Sequence, residues 1–141
     1  RTSGGQNLNL EYSIKRPLSP IDWYYLIKYS RGYVGVLMHP IVSAIHNNVP
    51  FFSFDHYGIR KFTKLNKHSS KTYHIIKKAG LLSQHFSLNL FKPFPSAEKV
   101  VNSLINFDYN SCKKFSIEQE KKYQRNMIKI ISNLKNNLVA K

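Results

Sequence analysis

A histidine directly before a proline, at the point where an apolar run gives way to a helical pattern, is the first place in this sequence where side chains could do chemistry. His39 follows Tyr33-Val34-Gly35-Val36-Leu37-Met38 and precedes Pro40, a residue suited to the first turn of a helix. Free N–H groups at such a turn favour a phosphate or carboxylate, and an imidazole beside them can hold an anion or move a proton. A second polar cluster, Asp55-His56-Tyr57-Gly58 with Arg60 and Lys61, follows the next apolar run. If the two runs are neighbouring strands, His39 and residues 55–61 face one crevice, with an imidazole, a phenol and two cations around an anionic ligand. A helix cap and a polar turn are the ordinary roles of such residues, so spacing alone does not separate cap from site.

Other chemistries lack their usual signatures. The sequence contains no Walker A loop, no G-x-G-x-x-G, no nucleophile elbow and no H-E-x-x-H, which removes the common footing for ATPase, dinucleotide-dependent and zinc-hydrolase activity. His46, His56, His68, His74 and His85 are too scattered to suggest a metal cluster and read as surface or internally satisfied histidines. Cys112 is the single cysteine, so neither an internal disulfide nor a thiolate metal site is expected. No metal and no cofactor are called for.

The elements that must position these residues read as alternating helices and strands. Asn7 to Tyr12 alternates polar and apolar residues, the period of a strand covered on one face. Ser19-Pro20-Ile21-Asp22 starts a helix with Ser19 as its cap, running to about Ser30 and laying Trp23, Leu26 and Ile27 on a sheet, with Tyr24 alongside. Residues 33–37 form a strand buried on both faces, a helix from Pro40 to about Asn47 follows, and residues 50–54 form the next strand. The basic stretch through Ser70 is a loop or lid, and Lys71 to Ala79 is a helix with Tyr73, Ile76 and Ala79 on one side and Gly80 as its stop. A Phe- and Pro-rich linker at 91–95 leads to a helix over about 97–105. Ser116-Ile117-Glu118-Gln119 reads as a capping box opening a last helix, whose Tyr123, Met127, Ile130, Ile131, Leu134 and Leu138 keep helical spacing opposite a solvated lysine face. The order is that of a parallel α/β sheet.

With 141 residues, one domain is the expectation, and 42% hydrophobic content is enough for a packed interior rather than a disordered chain. Lys and Arg outnumber Asp and Glu by 22 to 7, a formal charge of +15 that favours an anionic partner. No stretch approaches the roughly 20 apolar residues of a membrane span, and Arg1 to Gln6 have no signal-peptide core, so the expected location is cytoplasmic, at most peripheral on the inner membrane surface. The opening Arg1-Thr2-Ser3-Gly4-Gly5 reads as a junction, which makes a piece of a longer protein the expectation.

Over about residues 17–61 the sequence carries a specific likeness. Ser19-Pro20-Ile21-Asp22-Trp23, Tyr33-Val34-Gly35, and the block from Met38-His39-Pro40-Ile41-Val42-Ser43-Ala44 through Phe54-Asp55-His56-Tyr57-Gly58 resemble the C-terminal domain of the polysaccharide pyruvyl transferase family. The resemblance implies a Rossmann-like parallel sheet flanked by helices, the second half of a GT-B-like enzyme with its active site between two domains. Residues 1–141 would be that one domain, with a helical region over 96–141 and a missing N-terminal domain as its partner. It implies a transferase of exopolysaccharide or surface-glycan biosynthesis. A pyruvyl group passes from phosphoenolpyruvate to two hydroxyls of a carbohydrate acceptor, free or lipid-linked, as a ketal, and phosphate leaves. His39 matches the family's signature histidine as the catalytic residue, and Tyr57, Arg60 and Lys61 fall in the segment that faces the donor. Leu37 stands where the family commonly has arginine, so either Arg31 or Arg60 supplies that cation from another element or the chain is a divergent or inactive member. Two alternatives stay open beside it: a GT-B glycosyltransferase using a nucleotide sugar, and a basic, non-catalytic nucleic-acid-binding module. Nucleic acid ranks behind, because Trp23, Tyr24, Phe51 and Phe54 fall in packing elements instead of interleaving with lysines.

Overall fold

A computed structural model describes residues 17–55, 70–87 and 93–139, with side chains to residue 135. Helix α1 (Pro20–Lys28) opens on the expected signal: Ser19 Oγ accepts from Asp22 N at 3.1 Å and Asp22 Oδ2 accepts from Ser19 N at 3.0 Å, a reciprocal capping box. Strand β1 (Tyr33–Gly35) leads into α2 (Met38–His46), then β2 (Phe51–Asp55), α3 (Lys71–Lys78), a 3-10 turn at Leu82–Gln84 and β3 (His85–Ser87). Helices α4 (Ala97–Ile105) and α5 (Tyr109–Val139) complete the chain. The strands form one parallel sheet in the order β1-β2-β3, with Tyr33 opposite Phe51 and Ser53 opposite His85.

Two helices end in the same way, for reasons visible in the sequence. Asn48 and Gly80 adopt positive φ, 56° and 74°, and let the chain fold back after α2 and α3. Val49 N then reaches Ala44 O at 2.8 Å and Leu81 N reaches Ile76 O at 3.0 Å, each turn burying the apolar residue that follows it. The core lies on the Phe51 face of the sheet, where Ile41, Ala44 and Ile45 of α2, Ile76 of α3, Ala79 just past its end, and Phe107 and Cys112 close around that ring. Full burial of an Ile or Phe side chain contributes roughly 2–3 kcal/mol, so this cluster holds the two βα units together.

Four expectations need correction. The strand over 33–37 is shorter and borders the sheet, leaving Val34 48% exposed where burial on both faces was expected. Helix α1 packs on α2 instead of the sheet, so Ile27 reaches the core while Trp23 and Leu26 stay partly exposed. The last helix starts at Tyr109, not at Ser116: Asp108 Oδ1 accepts from Ser111 N at 2.9 Å and caps it, while Ser116 Oγ, inside the helix, donates to His46 O at 3.3 Å. Helix α2 starts two residues before Pro40, which occupies its third position. Strand β3 is an element that the periodicity did not indicate, and the expected strand at 7–12 lies outside the described residues. Among the described residues no helix is long and apolar enough to cross a membrane.

Candidate functional site

The turn from β1 into α2 builds a cleft of about 470 Å³, lined among others by Trp23, Tyr24, Tyr33, Leu37, His39 and Ser43. Leu37, in the cap position, has no side-chain acceptor, so α2 begins without a cap and its first-turn N–H groups, Met38 and His39 among them, lack partners within the helix. Positive potential therefore gathers at this end of the cleft. His39 stands exposed on that first turn, with no hydrogen bond to another described residue. A neutral or charged imidazole here is open to a ligand.

Tyr33 is the residue that sequence reasoning missed. Its ring lies across Gly35 so closely that a Cβ at residue 35 would overlap the phenol oxygen, which makes the glycine a requirement of the cleft wall. Burial pushes the Tyr33 phenol above its ordinary pKa, against a hydrogen bond with the Leu37 backbone that lowers it. The phenol thus stays protonated at neutral pH and can donate. The pairing of Tyr33 with a glycine two residues on is the signal that a closer reading of the strand would have used. On the opposite wall, Tyr24 Oη donates to Asn47 Oδ1 at 3.1 Å, which fixes its ring beside Trp23. Uncapped N–H groups, an imidazole, a phenol and aromatic walls suit a small anion carrying a planar or ring-shaped group.

The other expected residues fare differently. Arg31 is exposed in the turn before β1 and does not line the cleft with His39. Tyr57, Arg60 and Lys61 lie outside the described residues. Leu37, at the position of the family arginine, is 61% exposed on the cleft rim and offers no charge.

A second polar cluster joins the carboxyl end of β2 to His85 at the start of β3. His85 Nε2 lies 3.1 Å from Asp55 Oδ2 and its Nδ1 lies 3.2 Å from Ser53 Oγ, while Ser70 Oγ, the cap of α3, donates to Asp55 Oδ2 at 2.9 Å. Burial pushes the Asp55 carboxyl up, but hydrogen bonds from His85 and Ser70, the charge of His85 and a hydrogen bond from Ser87 together bring it below its ordinary value. An acid, an imidazole and a hydroxyl in sequence resemble a nucleophilic triad in outline. Ser53 is fully buried on the central strand, however, so no substrate reaches its oxygen and the cluster acts as a structural clasp. Among the described residues no group of His, Cys, Asp and Glu is placed to hold a metal ion.

Compared with known proteins, the chain matches no family model, no curated protein and no solved structure. The fold and the cleft stand on their own geometry.

Proposed function

We propose that this chain is the donor-side, C-terminal domain of a GT-B-type, polysaccharide pyruvyl transferase-like enzyme. The reading rests on one observation: His39 stands exposed at the uncapped start of α2, in a parallel βαβ unit, inside a cleft it shares with the protonated Tyr33. Phosphoenolpyruvate is a small anion of the size and charge such a helix end accepts. The proposed chemistry begins with proton transfer from His39 to the enol methylene, which leaves an oxocarbenium-like carbon. One sugar hydroxyl adds to that carbon, the C–O bond to phosphate breaks, and a second hydroxyl closes the ketal. The two hydroxyl protons leave to base, one of them regenerating the imidazolium. The first-turn N–H groups and the Tyr33 phenol stabilise the departing phosphate, a role that costs little reorganisation because they are held in place beforehand. The cations proposed to complete the pocket are Arg60 and Lys61, after β2, with Tyr57 beside them. The acceptor would be a surface-glycan precursor on the cytoplasmic side, where the +15 charge favours a phosphorylated lipid carrier.

The test is phosphate release from phosphoenolpyruvate, with and without a carbohydrate acceptor, by the protein that carries this chain. Acceptor-dependent release is expected, and His39→Ala is expected to lower it by about 10²-fold or more, the range of a general acid. Wild-type turnover in His39→Ala removes the histidine from the chemistry. Thermal stabilisation by a nucleoside diphosphate sugar, with none by phosphoenolpyruvate, replaces the reading with glycosyl transfer.

A further inference from the structure

Helix α5 changes character along its length. Its first turns dock on the body: Cys112 is fully buried with its Sγ 3.5 Å from Ile45 O, and Phe115 is half-buried. From Ile117 to Lys135 every residue is exposed, roughly 28 Å of helix at 1.5 Å per residue. A helix so little covered by the described residues over that distance is marginal in water.

Most of the apolar residues in this stretch are ordered, Ile128 standing among the cations of the far side. Tyr123, Met127, Ile130 and Leu134 recur at intervals of four, three and four, the seam spacing of a coiled coil, and they are exposed, Tyr123 by 64% and Leu134 by 57%. The helical spacing puts these residues on one face, and among the described residues nothing covers it. We propose that α5 is a self-association helix, through which two copies of this chain pair antiparallel with Met127 of one copy against Ile130 of the other and Tyr123 against Leu134.

Three observations select a second copy as the occupant. The positions flanking the seam, Gln119, Asn126 and Asn133 on one side and Gln124 and Ile131 on the other, hold no charge, whereas Lys121, Lys122, Arg125 and Lys129 sit on the far side of the helix. Two identical cationic helices therefore meet without opposed charges, and no acidic counter-surface is required. On a lipid surface the same cations would lie across the helix from the headgroups, about 10 Å away, which disfavours a membrane. Antiparallel pairing also keeps the two basic bodies at opposite ends. It carries each helix's last turns to an apolar groove of about 270 Å³ on the other copy, lined by Val42, Ile45, Ile75, Phe115 and Tyr123 among others. The seam with Ile131 exposes on the order of 500 Å² of side chain, the size of the largest apolar patch a monomer usually leaves and one that often marks an interaction site. Flanks and groove rim bring the pair near the roughly 800 Å² per partner of a standard interface.

The test is sedimentation of the full chain across about 1–100 µM, the range in which an interface of this size associates. Twice the 16.5 kDa mass is expected for the wild type. The monomer mass is expected for Met127→Glu/Ile130→Glu, with an unchanged near-ultraviolet circular dichroism spectrum to show that the body is intact, while the far-ultraviolet helix signal falls as the exposed turns of α5 lose their partner. For orientation, Tyr123→Cys/Leu134→Cys should cross-link into a covalent dimer on mild oxidation, while Tyr123→Cys alone should not. A monomer throughout that range overturns the proposal, as does a dimer untouched by the glutamates. Cross-linking of Tyr123→Cys to itself, the mark of parallel pairing, overturns it too, as does binding to anionic vesicles in place of dimer formation.

Discussion

Removing the His85 imidazole should cost this fold more than any single surface contact, and in a way that depends on pH. The side chains of His85 and Asp55 are only 3% and 7% exposed, and they meet at 3.1 Å between the end of β2 and the start of β3. In His85→Ala the Asp55 carboxylate keeps Ser70 and Ser87 as hydrogen-bond donors, while its buried Oδ1 has no partner even in the wild type. Breaking a buried pair from one side leaves an uncompensated charge and costs roughly 3–5 kcal/mol, to which the orphaned Ser53 hydroxyl adds. Ser70 and water entering the space of the lost ring offset part of this, so about 3 kcal/mol is expected, a large share of the roughly 5–15 kcal/mol that stabilises a domain.

The sign of the pH effect follows from Asp55. In the wild type its pKa is lowered, so its contribution is present above the ordinary carboxylate pKa of 3.8 and is lost as pH falls through the folded value. In the variant, burial is no longer outweighed and the folded pKa rises above the unfolded one, so protonation on acidification relieves strain. Urea unfolding at about pH 5 and about pH 4, both below the ordinary histidine range, should show the stability gap between wild type and variant narrowing with acid. Adding Asp55→Asn to His85→Ala removes the buried charge and should recover about 1 kcal/mol or more. A gap under about 1 kcal/mol, a gap that widens with acid, or strictly additive losses in the double variant would refute the reasoning.

Gly35→Ala should push the Tyr33 ring out of the cleft, because the new Cβ would overlap its hydroxyl. A loss of about 1–2 kcal/mol and a lower tyrosine pKa in an ultraviolet titration are expected, and an unaltered titration would show that Tyr33 is not held there. Cys112 is fully buried with its thiol pushed up to about 11 by burial and by the nearby Asp108 charge, so it should resist a thiol reagent at about pH 8 until urea unfolds the chain. Rapid labelling of the folded protein would contradict the docking of α5.

What the sequence discloses about this fold is what local chemistry decides. Ser19 with Asp22 and the Gly80 stop act within a few residues of themselves, and both appear where the pattern puts them; the Ser70 cap and the Asn48 turn are equally local. Strand β3 carries no such mark: His85-Phe86-Ser87 is short and mostly polar, and only its pairing with Ser53, Phe54 and Asp55 makes it a strand. The start of α5 was misread because two caps compete. Ser116 has the better local motif, but a start there would leave Cys112 outside the helix that buries it against Ile45, so the earlier Asp108 prevails.

The two histidines that matter divide along the same line. The position of His39 is legible because a strand-to-helix handover is a local event, and among the described residues none closes over its ring. His85 looked like one of several scattered histidines, and its role depends on Asp55 and Ser53, both about thirty residues away in sequence. Both of its nitrogens are engaged, so it can hold strands together but has no site left for a substrate. The imidazole of His39, at the mouth of a cleft, makes no hydrogen bond to another described residue, so cohesion belongs to the histidine that folding consumes and the proposed chemistry draws on one whose ring is left open.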